Sequence, residues 1–294
     1  MTRQLVFVHG RSQQGKDPAA LKQVWIDASK AGLEKDGLEM PITDQDIRFP
    51  FYGDTLAGLT EGLSPAEVAR IVIKGDNVDS LETQFIRAML MEIQMQSGVT
   101  DEQVREIADG PVEKGILNWE WVQNILEAID THVPGASGAS LALATRDVYK
   151  YLNHEGIQGI IDQGVANAIT PGVETVVVGH SLGTVVTYNL LKNQGQEKGW
   201  KVPSYITLGS PLAVKAIKQK VSPIKHPACV GNWFNAMDER DIVALYPLDS
   251  DHFAIDPAIE NKLDVDNPTV NRHGITGYLS DAVVARRIHD ALVQ

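Results

Sequence analysis

Apolar positions follow two different rhythms along this chain. Leu5-Val6-Phe7-Val8 is a short unbroken run of β-branched and aromatic residues that stops at His9-Gly10. Such a run predicts a buried strand followed by a turn. Asp17-Pro18 then opens a helix with apolar positions at Ala20, Leu21, Val24, Trp25 and Ala28. Asp stands at its N-cap and Pro at its first position. A second strand is expected within residues 46–51. From about residue 55 to 133 no strand pattern occurs, and helical periodicity takes over. Ser64-Pro65-Ala66-Glu67 predicts a helix start. Leu81, Phe85, Met89 and Ile93 recur every four residues, with Ile86 and Leu90 widening the stripe. Thr100 opens a short helix, and Trp119, Val122, Ile125, Leu126 and Ile129 line another. Val133-Pro134-Gly135-Ala136-Ser137-Gly138 reads as the loop that leaves this region.

After that loop the alternation returns. A long helix is expected over 141–168, with a break at Gly156. Strands are expected over 174–178, 205–208 and 229–234, with helices over 184–192 and 280–293. Strands alternating with helices predict an α/β fold built on a mostly parallel sheet flanked by helices on both faces. Residues 1–54 and 134–294 are read as this core, and 55–133 as a helical cap or lid insertion. The simpler alternative for the insertion is a helical extension of the core.

Composition narrows the function. A hydrophobic fraction of 43% with 22% charged residues is ordinary for a packed globular chain. The formal net charge of -12 argues against nucleic acid, which rewards clustered Lys and Arg, and against anionic lipid headgroups. A small, neutral or modestly charged substrate is expected. Cys229 is the single cysteine, so no disulfide can form within the chain, as suits a reducing compartment. No leader-like pattern and no apolar run of roughly 18 residues is present, so a transmembrane segment is not expected and a cytoplasmic location is. The oligomeric state is not legible. The histidines form no helical H-x-x-x-H pair and there is no cysteine cluster, so neither a metal nor a cofactor is expected. The stretch Gly10 to Asp17 has its lysine misplaced for a phosphate-binding loop and Asp where Ser or Thr is needed.

The sharpest motif is Thr175-Val176-Val177-Val178-Gly179-His180-Ser181-Leu182-Gly183. It matches G-x-S-x-G, with a continuous apolar strand before it and an apolar helix after it. A serine on so tight a turn exposes its hydroxyl above the sheet edge, and side chains two positions away would collide, hence Gly179 and Gly183. An ordinary strand-to-helix turn would not need both glycines. Ser181 also precedes a helix N-terminus, where free N–H groups favour developing negative charge.

On these residues the sequence resembles the α/β-hydrolase superfamily, in its lipase and esterase branch. The resemblance covers the core, about two-thirds of the chain, and not the insertion. Thr184 departs from it, since many lipases carry Gly or Ala there. The resemblance implies the α/β-hydrolase fold and a triad in the chain order Ser, acid, His. Among His252, His273 and His289, it points to His273, in a loop before Tyr278-Leu279 and the last helix. Asp241, in Glu239-Arg240-Asp241-Ile242-Val243, matches the acid, with Asp238 as the alternative. His9-Gly10 is similar to the HG motif whose following loop donates one oxyanion N–H. That donor is assigned to Arg11, or alternatively Ser12, and the second to Leu182. His9 itself is read as holding the loop.

The implied reaction is hydrolysis of a carboxylic or lipid ester through an acyl-enzyme, with a small-molecule ester as substrate. Other expectations are a thioesterase or acyltransferase on the same triad, or a non-catalytic binding protein retaining the scaffold. The Met89, Met91 and Met95 stripe is a candidate acyl pocket, or else plain packing within the insertion.

Overall fold

A computed structural model describes residues 3–11, 13, 15–54, 81–108 and 119–294. Strand β1 (Gln4–Val8) is followed by helix α1 (Pro18–Glu34) and the two-residue strand β2 (Ile47–Arg48). Among the described residues of the predicted insertion come α2 (Leu81–Gln96), α3 (Asp101–Ile107) and α4 (Trp119–His132). Then come α5 (Gly138–Asn153), α6 (Glu155–Ala166), β3 (Thr175–His180), α7 (Leu182–Gln194) and β4 (Val202–Leu208). The chain closes with α8 (Lys215–Lys220), β5 (Val230–Ala236), β6 (Glu260–Lys262), α9 (Ile275–Leu279) and α10 (Ala282–Val293).

The six strands form one sheet in the order β2-β1-β3-β4-β5-β6, with every pairing parallel. Both faces are covered, which explains why the strands read as unbroken apolar runs. Leu5, Phe7, Val176 and Val178 point to the face packed by Trp25 and Ile26 of α1 and Val284 and Ile288 of α10. Val6, Val8 and Val177 point to the opposite face, against Leu182, Val185 and Val186 of α7. This is the two-residue period of a strand.

In the order β2-β1-β3 the chain reverses its direction of winding between β1 and β3. Parallel sheets open a crevice at the carboxyl ends of the strands at such a point. His9-Gly10 and Ser181 both emerge there, one after each strand.

Helices α2, α3, α4 and α5 share a third apolar cluster, in which Ile86, Leu90, Trp121, Val122, Ile125 and Leu141 are buried. Phe85 and Met89, also on α2, belong instead to the core on the α7 face. The predicted insertion is therefore fastened to the sheet through α2 and α5. The helix expected to open at Thr100 is present, and a capping box starts it, with Thr100 and Gln103 bonded reciprocally. The helix start at Ser64 lies outside the described residues.

Two element boundaries need correction. The helix expected over 141–168 breaks at His154 rather than Gly156. His154 has extended backbone (φ -117°, ψ 101°) and ends α5 while preceding α6. Gly156 sits inside α6 with open space around it, so it has no need to break the helix. The strand expected over 46–51 is only Ile47–Arg48. Pro50 has no N–H to donate to a ladder, and Phe49 and Phe51 leave the sheet to surround the His9 ring at 5.5 and 5.3 Å.

Candidate active site

The tightest backbone feature of the crevice is Ser181. Its φ of 55° and ψ of -127° lie where L-residues are rarely found. Such a conformation costs on the order of 1–3 kcal/mol and persists only if its surroundings fix it. Here they do. The Ser181 N–H donates to the Leu208 carbonyl at 3.1 Å, and the Ser181 carbonyl accepts from the Thr184 N–H at 2.9 Å. Thr184 Oγ1 donates to that same carbonyl at 2.7 Å and bonds Ser210 Oγ at 2.8 Å. The departure from Gly or Ala at position 184 thus adds a second clamp on the elbow.

The glycines of the motif are explained by space. A Cβ on Gly179 would lie 2.9 Å from Thr187 Oγ1 and 3.1 Å from Thr184 Cα. One on Gly183 would press into the carbonyls of Val8 and His9, at 2.7 Å from the latter. One on Gly10 would meet Ser181 Cβ at 2.9 Å, so β1 can end beside the serine only with glycine there.

Asp241 and His273, 32 residues apart in the chain, meet directly: His273 Nδ1 lies 2.7 Å from Asp241 Oδ2. The Asp241 side chain is fully buried. Its other oxygen accepts from the Val243 N–H at 2.9 Å. Tyr278 donates its hydroxyl to Asp241 Oδ2 at 2.6 Å and accepts from the Asp238 N–H at 3.2 Å. Burial, with the Asp241 carboxylate next in importance, drives the Tyr278 phenol well above its usual range, so it stays a donor. Asp238 is also buried, but it is occupied otherwise. Its carboxylate accepts from the N–H of Arg240 and of Asn267 and from the Arg240 guanidinium. The alternative acid is therefore a loop organiser, bonded away from the imidazole.

Ser181 and His273 border one cleft of about 510 Å³, also walled by Gly10, Arg11, Trp25 and Asn271. Among the described residues, no hydrogen bond is made to Ser181 Oγ. The serine and the Asp241–His273 pair thus share the cleft while the hydroxyl-to-imidazole bond is open. His252 and His289, the other downstream candidates, are bonded to Asp249 and Asp290 and do not border the cleft.

His9 is buried, with its ring stacked 4.1 Å from Tyr52. Its Nδ1–H donates to the Gly10 carbonyl at 2.6 Å while Nε2 accepts from the Tyr52 N–H at 3.1 Å. The Tyr52 hydroxyl donates to the His9 carbonyl. Burial lowers the His9 pKa to about 4, consistent with this neutral, doubly engaged ring. Arg11 follows, and its guanidinium Nε–H donates to Asp147 Oδ2 of α5 at 2.8 Å, with both side chains largely buried. Burial raises the Asp147 pKa, an effect that Arg11 opposes. Leu182 is the first residue of α7, so its N–H has no partner in the preceding helical turn. Ser12, the alternative donor, lies outside the described residues.

No family model matches the chain, and neither does any curated protein or solved structure.

Three contributors were not legible as such in the sequence. His180 fills a variable position of the motif, yet its Nε2–H donates to the His273 carbonyl at 2.8 Å, with the two rings 4.7 Å apart. Burial, then the nearby His273, lower its pKa to about 3. Tyr278 was visible only as a neighbour of His273. Asn267, fully buried, donates to the Gly274 carbonyl and to Asp238, tying the histidine loop to the acid loop. The only signal for these was their closeness in sequence to the motif residues.

The cleft is also electrostatically distinct. Among its described lining residues there is no carboxylate, whereas Arg11 and Lys16 are basic, in a chain of net charge -12. Among the described residues no helix is long and apolar enough to cross a membrane.

Proposed function

We infer that the chain is a serine hydrolase of the α/β-hydrolase type that cleaves an ester through an acyl-enzyme. The observation that carries this reading is the strained Ser181 at the end of a central parallel strand, facing the same cleft as an imidazole bonded to a buried carboxylate. The all-parallel sheet and its strand order are compatible with that fold.

The roles follow from the chemistry. His273, oriented by Asp241 through Nδ1, presents Nε2 as the base. Ser181 Oγ bonds to the ester carbonyl carbon as its proton passes to His273 Nε2. The C–O bond to the alcohol then breaks, and His273 returns the proton to the departing oxygen. Water repeats the sequence on the acyl-enzyme, releasing the acid and restoring the Ser181 hydroxyl. The Leu182 N–H and the Arg11 N–H are assigned as donors to the tetrahedral oxyanion, where loss of one such donor costs about 10²–10³ in rate. The open contact between Ser181 and His273 fits this role, since catalytic hydrogen bonds often tighten only when substrate is bound. A cytoplasmic location belongs to the same reading and rests on the single Cys229.

A fluorophosphonate probe tests the reading. The expected result is covalent labelling of the folded protein that is lost in Ser181→Ala. A folded chain that resists labelling and turns over no ester or thioester would instead be a binding protein.

A further inference from the structure

Beside the cleft lies a second and much smaller cavity. Met89 and Ile93 of α2, Ala144 of α5, Leu182 of α7, Val214 and Val243 enclose it. Its free volume of about 20 Å³ admits a group the size of one water molecule and little more. Ser181 borders both cavities, as do Arg11, Leu141, Ala144 and Val243, whereas Leu182 borders only the small one. His273 borders only the large one.

This asymmetry orients a substrate. The base that takes the serine proton must deliver it to the departing alcohol oxygen, so the alcohol portion lies on the His273 side. The acyl portion then extends to the other side, past the Leu182 N–H. Resting on the hydrolase reading, we propose that the substrates are esters of a very short acyl group, acetyl or propionyl, with a larger alcohol portion seated in the cleft. The acyl pocket is lined mostly by apolar side chains, with Arg11 and Thr145 as its polar neighbours besides Ser181, and Met89 and Ile93 of the insertion form its end wall. Both are buried, Met89 at 5% and Ile93 at 3% exposure, and are packed by separate clusters that hold the wall in place. The insertion therefore sets acyl-chain length as well as covering the sheet. Of the three methionines on α2 only Met89 serves this purpose; Met95 is 64% exposed.

A pair of isomeric esters with the chain reversed tests the orientation directly. Heptyl acetate and methyl octanoate carry the same atoms, and kcat/KM is expected to be about tenfold or more higher for heptyl acetate. The p-nitrophenyl acetate, butyrate and octanoate series is expected to fall steadily in the same way. Preference for methyl octanoate, or for the octanoate of the series, overturns the proposal while leaving a Ser181-dependent hydrolase standing. Absence of Ser181-dependent turnover on any ester removes the hydrolase reading and this inference with it. Met89→Ala deepens the pocket and is expected to raise the butyrate-to-acetate ratio of kcat/KM. Ala144→Val fills it from the partly exposed side and is expected to lower that ratio. With melting curves showing both variants folded, unchanged ratios overturn the assignment of the wall; if Met89→Ala fails to fold, Ala144→Val alone decides it.

Discussion

His180 holds His273 by the backbone: its Nε2–H donates to the His273 carbonyl at 2.8 Å, while the His273 ring turns away to meet Asp241. The residue immediately before Ser181 thus fixes the loop that carries His273. His180→Phe removes the donor and leaves a carbonyl short of a partner, at a cost of about 1–3 kcal/mol. The expected result is kcat lowered by about tenfold with KM nearly unchanged, since a tenfold loss corresponds to about 1.4 kcal/mol of transition-state stabilisation. His180→Gln keeps an N–H donor and is expected to recover part of the loss. A fall in KM-dependent binding alone, or equal effects of the two substitutions, would contradict the positioning role.

Ser181→Ala is expected to abolish turnover of p-nitrophenyl acetate. The elbow is held by backbone bonds and by Thr184, none of which uses the Ser181 hydroxyl. Thermal melting is therefore expected to move little, and full retained activity would refute the nucleophile.

Asp241→Asn and Asp238→Asn separate the two carboxylates. The first leaves His273 without the acceptor that fixes its tautomer, and kcat is expected to fall about 10⁴-fold. The second weakens the bonds to Asn267 and Arg240, and its effect is expected mainly in the urea midpoint, by about 1–3 kcal/mol. Steady-state kinetics beside urea titrations of both variants check this; a reversed pattern would exchange the roles.

Acid is expected to destabilise the fold. His9 and His180 stay neutral when folded down to about pH 4 and about pH 3, mainly because they are buried. The unfolded chain takes up both protons near pH 6.5, so their contribution is complete above that pH and is lost as pH falls towards the folded values. Asp162 acts in the opposite sense. Burial raises its carboxyl to about 6, so as pH falls from about 6 the folded state takes up a proton first and gains stability. Burial also raises Asp147, in the sense of Asp162, and lowers His226, in the sense of the other two histidines. With the deeply buried His9 and His180 dominant, a net loss on the order of 1–3 kcal/mol is expected between pH 7 and pH 5. Urea midpoints at the two pH values measure it, and an unchanged or higher stability at pH 5 would contradict neutral histidines at both positions.

The sheet was legible because β1 and β3 are buried on both faces and leave long apolar runs, and the elbow because its glycines are demanded by contact. Edge elements were not. β6 is Glu-Asn-Lys, a polar strand at the sheet margin that pairs with β5 without any apolar signature, and β2 shrank because Pro50 ends its pairing. In the site, Asp241 and His273 stood out through motif resemblance and do meet in space, whereas Asp238 could be told apart from Asp241 only by seeing what its oxygens accept. His180, Tyr278 and Asn267 act through hydrogen bonds between distant segments, and local pattern carries no record of those.

Ile242 and Val243, the two residues that follow the acid, rest on the apolar cluster shared by α2, α4 and α5. Helices α2 and α4 are consequently no detachable ornament. Excising them, or exchanging them for foreign ones, would strip the support from beneath Asp241 and slacken the partner of the His273 ring, so any graft must reproduce that seat before it can inherit the proposed chemistry.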